Sequence, residues 1–158
     1  MIDIQPPVDP SRRNKTRRLE WLFSSLTAIN CFIVVITFAF INGSISIEGI
    51  LSQWPFPLIY FIEIASLGII GLIAVGNLQL DVKSNWSGVP WVCSGILFAF
   101  VILGAWTIGF FLLPAMILCL VTGIFVDRRT GGEIPLHLVY FVSAGIAQAV
   151  LVFLTLIG

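Results

Sequence analysis

Charge is what this sequence has least of. Of its 158 residues only 10% are Asp, Glu, Lys or Arg, where soluble domains carry about 25%. None of them falls between Lys83 and Asp127. So few polar groups cannot cover a water-facing exterior, and the outside of the fold must face hydrocarbon. Histidine is nearly absent, with His137 alone. Three cysteines, Cys31, Cys93 and Cys119, form no CxxC pair and sit among apolar residues, which argues against a disulfide frame or a metal site. They read as small buried hydrophobes. No Walker loop, GxSxG, HExxH or activated pair of carboxylates occurs. The expectation is a protein that is not an enzyme, with no cofactor and no metal.

What is present is apolar length. Hydrophobic residues make up 58% of the chain, and the mean hydropathy is +1.06. The pattern predicts an all-α, polytopic transmembrane bundle of about five spans, over residues 21–41, 57–78, 90–105, 109–126 and 135–157. Residues 1–20 read as a basic cytoplasmic tail and 21–158 as one transmembrane domain. Within that tail, residues 11–20 have the makings of a short surface helix leading into span one. The first apolar run is too long for a signal peptide and lacks a small-residue cleavage pattern, so it is expected to stay as that span.

The stretch 89–126 carries the main ambiguity. As a single helix its 38 residues would run roughly 57 Å, nearly twice the bilayer core of about 30 Å. A single long helix kinked at Pro114, giving four spans, is the alternative. The hairpin is preferred, with its corner at Gly104-Ala105-Trp106-Thr107-Ile108-Gly109 and Pro114 in the first turns of the second arm.

Basic residues choose the orientation. Five of eight lie in the cluster Arg12, Arg13, Lys15, Arg17 and Arg18. With five spans and the N-terminus inside, Lys83, Arg128 and Arg129 join them on the cytoplasmic side, as the positive-inside rule prefers. The tryptophans fit as interfacial anchors: Trp21, Trp86 and Trp91 inside, Trp54 and Trp106 outside. A basic cluster beside a span needs no nucleic acid to account for it. The C-terminus is then outside. The absence of a transit peptide favours a bacterial inner membrane. The sequon Asn85-Trp86-Ser87 falls on the cytoplasmic side, where it would be silent.

A few side chains are out of place in lipid. Glu63 is the sharpest, because an ionised carboxylate at that depth costs a few kcal/mol even on lenient scales. Tyr60, Ser66, Ala74 and Asn77 share its helical face. By depth, its candidate partners are Gln148 in span five and Asn30 in span one. His137, near the start of span five, is a candidate axial ligand for haem or chlorin, or a hydrogen-bonded histidine near Asn77 or Asp81. Asp127 to Glu133 read as a polar turn. Gly95 with Ala99, Gly145 with Ala149, and Ser143 with Ala147 are small-xxx-small pairs for close helix packing.

The sequence thus predicts a small multi-pass membrane protein, foremost a non-catalytic accessory subunit of a larger membrane complex. A proton- or cation-coupled carrier using Glu63 is the alternative, and a pigment- or haem-binding subunit through His137 the third. The expected partners are the lipid bilayer and other membrane subunits, with no nucleic acid.

Overall fold

Five helices long and apolar enough to cross a membrane run up and down through the bundle. The computed structural model describes residues 10–41, 58–80, 85–105 and 108–157. In chain order these are α1 (Pro10–Ile41), α2 (Leu58–Leu80), a 3₁₀ turn (Asn85–Gly88), α3 (Val89–Leu103), α4 (Gly109–Thr130) and α5 (Ile134–Ile157). Trp54, Asp81, Lys83 and Trp106 lie outside the described residues.

The basic segment is not separate from the first span. α1 runs unbroken for 32 residues from Pro10, so the expected start of the span at Trp21 is a change of environment, not of conformation. The hairpin is confirmed, and the single long helix is excluded. Gly104 N–H closes on the Phe100 carbonyl at 2.8 Å, and Gly109 N–H donates to the Gly104 carbonyl at 2.7 Å. The reason for the glycines is steric, not backbone freedom. A Cβ on Gly109 would lie 2.6 Å from both the Gly104 carbonyl carbon and the Val101 oxygen. The first arm is short, at 15 residues. The 3₁₀ turn lengthens it to an 18-residue apolar segment, Trp86–Leu103, or roughly 27 Å. Pro114 is the sixth residue of α4, past the first turn. It keeps to the first two turns, as the sequence predicts, and forgoes a bond to the Phe110 carbonyl.

Each helix has its own place. α1 packs on α2 and α4, and α3 packs on α4 and α5, with a lighter contact between α2 and α3. The core is built from Cys31 and Val34 of α1, Ile64 and Leu67 of α2, Cys93, Leu97 and Phe100 of α3, and Leu112, Ala115 and Cys119 of α4. All three cysteines are free and buried. α5 adds nothing to this cluster. It lies against α3 at one close crossing, where a Cβ on Gly95 would come 2.2 Å from the Phe141 carbonyl oxygen and one on Gly145 would come 3.1 Å from the Gly95 oxygen. These two glycines serve packing within the chain, while Ser143 and Ala147 face outward. Without a hydrophobic force between helices in lipid, such close packing and interhelical hydrogen bonds hold the bundle.

Several hydroxyls satisfy themselves locally. Thr27, Thr122 and Thr130 each donate to the carbonyl four residues back, at 2.9, 2.8 and 2.9 Å. Those groups are thereby spent within one helix. Ser66 and Ser143 do the same three residues back, at 2.7 and 3.2 Å, and a smaller set of polar side chains joins different helices.

Candidate functional site

The last turn of α4 is the polar centre of the molecule. Asp127 to Thr130 are helical, not a loop, which corrects the reading of 127–133 as a polar turn. Gly131 then takes a left-handed φ of 70°, the usual helix-ending conformation for glycine. The Gly131 and Gly132 N–H groups both donate to the Asp127 carbonyl, at 2.9 and 3.1 Å. The chain reverses into α5 within three residues, and this brings His137 back to Asp127.

Asp127 is 1% exposed and accepts from two other helices. Trp91 Nε1 of α3 donates to Oδ2 at 3.0 Å. His137 Nδ1 of α5 meets Oδ1 at 2.7 Å. With the carboxylate as acceptor, Nδ1 is the donor in this pair. The imidazole stacks on Trp91, centroids 6.4 Å apart, and lies 5.7 Å from the Tyr140 ring. Two glycines make the room. A Cβ on Gly123 would sit 2.9 Å from Trp91 Nε1, and one on Gly132 would sit 2.7 Å from Asp127 Oδ1. The sequence places His137 near Asn77 or Asp81. The partner is Asp127, ten residues upstream across the glycine turn. Trp91, read as an interfacial anchor, is instead buried and hydrogen-bonded inward.

Arg129 does the corresponding work on the other side. Residues two apart on a helix point about 200° from each other, so Arg129 faces α1 and α2 while Asp127 faces α3 and α5. Arg129 Nε donates to Glu20 Oε1 at 2.8 Å, and the two side chains are 4% and 0% exposed. Nη1 donates to the Leu78 carbonyl at 3.2 Å, covering one of the carbonyls that the end of α2 leaves open. Arg17 stands near enough to add positive charge beside Glu20. Glu20 Oε2 and Arg129 Nη2 are buried without a hydrogen-bond partner. One helical turn therefore ties α4 to all four other helices, and brings the end of α2 and the starts of α3 and α5 to the level of Glu20 in α1.

The sequence reading missed Glu20, Asp127, Arg129 and Trp91. A signal was present in part. Asp127 and His137 flank a Gly-Gly reversal between two apolar helices, a spacing that brings the two residues together.

The second cluster lies toward the far end, between α2 and α5. Glu63 is half-buried, and the Gln148 side chain of α5 stands beside its carboxyl. Gln148 itself is buried. Asn30 is not brought into this pair, and its Oδ1 is buried without a partner. One turn or more beyond, Tyr60 Oη meets Thr155 Oγ1 at 3.0 Å. The Thr155 proton goes to the Val152 carbonyl at 2.8 Å, so Tyr60 is the donor in that pair. The Tyr60 ring lies edge-on to Phe100, with centroids 5.9 Å apart.

The two clusters are separate. His137 and Gln148 are 11 residues apart on α5, roughly 16 Å along the axis. No three of His, Cys, Asp and Glu converge as a metal site among the described residues. Of the basic cluster, Lys15 and Arg18 are exposed and Arg17 is half-buried. Arg12 and Arg13 belong to the first turn of α1, and their side chains lie outside the described ones. No family model matches the chain, and neither curated proteins nor solved structures gave a match.

Proposed function

We propose that this protein is a non-catalytic subunit of a larger membrane assembly, inserted in a bacterial inner membrane with its N-terminus in the cytoplasm. The observation that carries the reading is how its polar side chains are used. Glu20 with Arg129, Asp127 with Trp91 and His137, and Glu63 with Gln148 each join helices distant in sequence. Groups spent on one another fix a helix arrangement and leave little for a reaction centre. The placement of α5 also favours this reading. It rests chiefly on α3, and its outward flank is apolar and shallow at Ser143 and Ala147. Small residues on an exposed membrane helix suit packing against another helix. Extraction in mild detergent should bring larger membrane proteins along in fixed ratio. A stable, homogeneous oligomer of this chain alone would overturn the proposal.

A carrier is the second reading, favoured by one observation, the half-buried carboxyl of Glu63 in the far half of the bundle. Reconstituted protein would then move protons or cations, and Glu63→Gln would abolish the flux while assembly persists. Absence of flux in the parent protein removes this reading. For a haem or chlorin, His137 has only Nε2 to offer, since Nδ1 is engaged by Asp127. A visible spectrum of the co-purified fraction tests that use.

A further inference from the structure

We propose that α1 carries a binding notch for the headgroup of an anionic phospholipid, formed by Asn14, Arg17, Arg18 and Trp21. These residues fall at i, i+3, i+4 and i+7, one stripe of the helix. They line an open notch of about 470 Å³, a size suited to a phosphodiester headgroup rather than to a single ion. The inference is independent of whether the chain has partner subunits.

Among the described residues that line it, the notch carries charge of one sign. No acid lies between Asp9 and Glu20, while five basic residues do. Glu20 is the nearest carboxylate in sequence, and its charge is met from α4 by Arg129 at 2.8 Å. The buried acid is thus paired from the opposite side, with Arg17 also beside it, and the charge the notch presents outward is that of the exposed Arg18. Arg18 is exposed, and a guanidinium presents a fork of donors that matches two phosphate oxygens. Asn14 adds an amide donor for ester or glycerol oxygens.

The level of the notch selects lipid over soluble phosphate. Trp21 is 44% exposed and Leu22 51% exposed at the deep edge, and the apolar surface of α1 continues from there through Leu26 and Ile29. Trp21 is therefore at the headgroup boundary. A phosphate held by Arg18 would have its acyl chains running down an apolar helix face. A free phosphate would gain nothing from that continuation.

The test is native mass spectrometry of the full-length protein. It is released gently from vesicles of phosphatidylcholine with one-fifth phosphatidylglycerol, and the retained lipid is counted. The parent protein should retain phosphatidylglycerol several-fold above its share of the vesicle. Arg18→Gln with Asn14→Ala should bring that enrichment close to the vesicle ratio. Arg128→Gln removes an exposed cation at the same end of the bundle, outside the notch, and should leave the enrichment in place. Equal loss in the Arg128→Gln protein would overturn the notch in favour of diffuse surface charge. So would an unenriched parent, or a notch variant that retains as much as the parent. The substituted side chains are exposed, and matching melting temperatures would confirm that the fold is kept.

Discussion

The two polar clusters of this bundle solve the same problem in opposite ways. At the basic end, opposite charges are buried together: Glu20 and Arg129 are 0% and 4% exposed and 2.8 Å apart. Toward the far end, a single carboxyl stands half-buried beside a neutral amide. The first arrangement is costly to break and stays closed. The second is cheap to break and is the only place in the far half where an acid is half-open among the described residues. The contrast teaches that buried charge and functional charge are different signals. The sequence ranks Glu63 first because an ionised carboxylate is costly at that depth. The ionisable groups that organise the fold were those that had partners.

Breaking the ion pair gives the largest expected effect. Arg129→Ala leaves Glu20 buried without its hydrogen-bonded cation, with only Arg17 at longer range beside it, and removes the cap on the Leu78 carbonyl. Losing one partner of a buried pair costs about 3–5 kcal/mol. A drop of that size should appear in detergent unfolding followed by circular dichroism. Glu20→Met combined with Arg129→Met should restore much of it, because an apolar pair leaves no charge stranded. A double variant as weak as the single one would show that the Leu78 contact, not the charge pair, holds this end together.

Asp127→Ala comes next. It leaves two buried donors, Trp91 Nε1 and His137 Nδ1, at about 1–3 kcal/mol for each one unmade. His137 can move its proton to the other nitrogen, which holds the total to about 2–4 kcal/mol. Asp127→Asn keeps an acceptor for one of the two and should fall between this variant and the parent. The same unfolding measurement ranks all three. It also shows whether α3 and α5 depend on this carboxylate as α1 and α2 depend on Arg129.

Gly95→Ala probes the joint that both clusters share. The new Cβ would lie 2.2 Å from the Phe141 carbonyl oxygen, so α5 must move away from α3. Overpacking of this kind costs about 1–3 kcal/mol. Displacing α5 also pulls His137 from Asp127 and Gln148 from Glu63. Hydrogen exchange should therefore rise along α5 and not along α1. A uniform rise would mean that α5 is held by more than this crossing.

Much of the architecture was legible, because bilayer thickness is a ruler. Dividing 38 uncharged residues by the length of a span demands a reversal, and only Gly104 to Gly109 offered one. The polar centre was not legible, for a physical reason. Glu20 and Arg129 stand 109 residues apart, and each sits where a helix meets the membrane boundary. Charged residues are ordinary at that boundary, and nothing in either neighbourhood marks them as facing inward. That follows only once the helices are arranged and the phase of α4 is known. The same phase turned Trp91 inward. Periodicity was weak throughout, since lipid-facing and core-facing residues are both apolar, and the faces of α5 could not be told apart by hydropathy.

Glu63→Gln should give the smallest change in stability, and that is its value. The carboxyl stands beside a neutral amide, and a glutamine is the same shape and still offers an acceptor to Gln148. Interhelical hydrogen bonds in membranes average about 0.6 kcal/mol, so even complete loss of this contact would shift unfolding little. If stability holds and co-purifying proteins remain, the far cluster is one more tie between α2 and α5. The asymmetry between the two ends is then one of strength alone. If stability holds but transport across reconstituted membranes is lost, the half-buried carboxyl has a use that the buried pair does not share. The clusters would then divide the work, the basic end keeping the helices in place and the far end handling the ion.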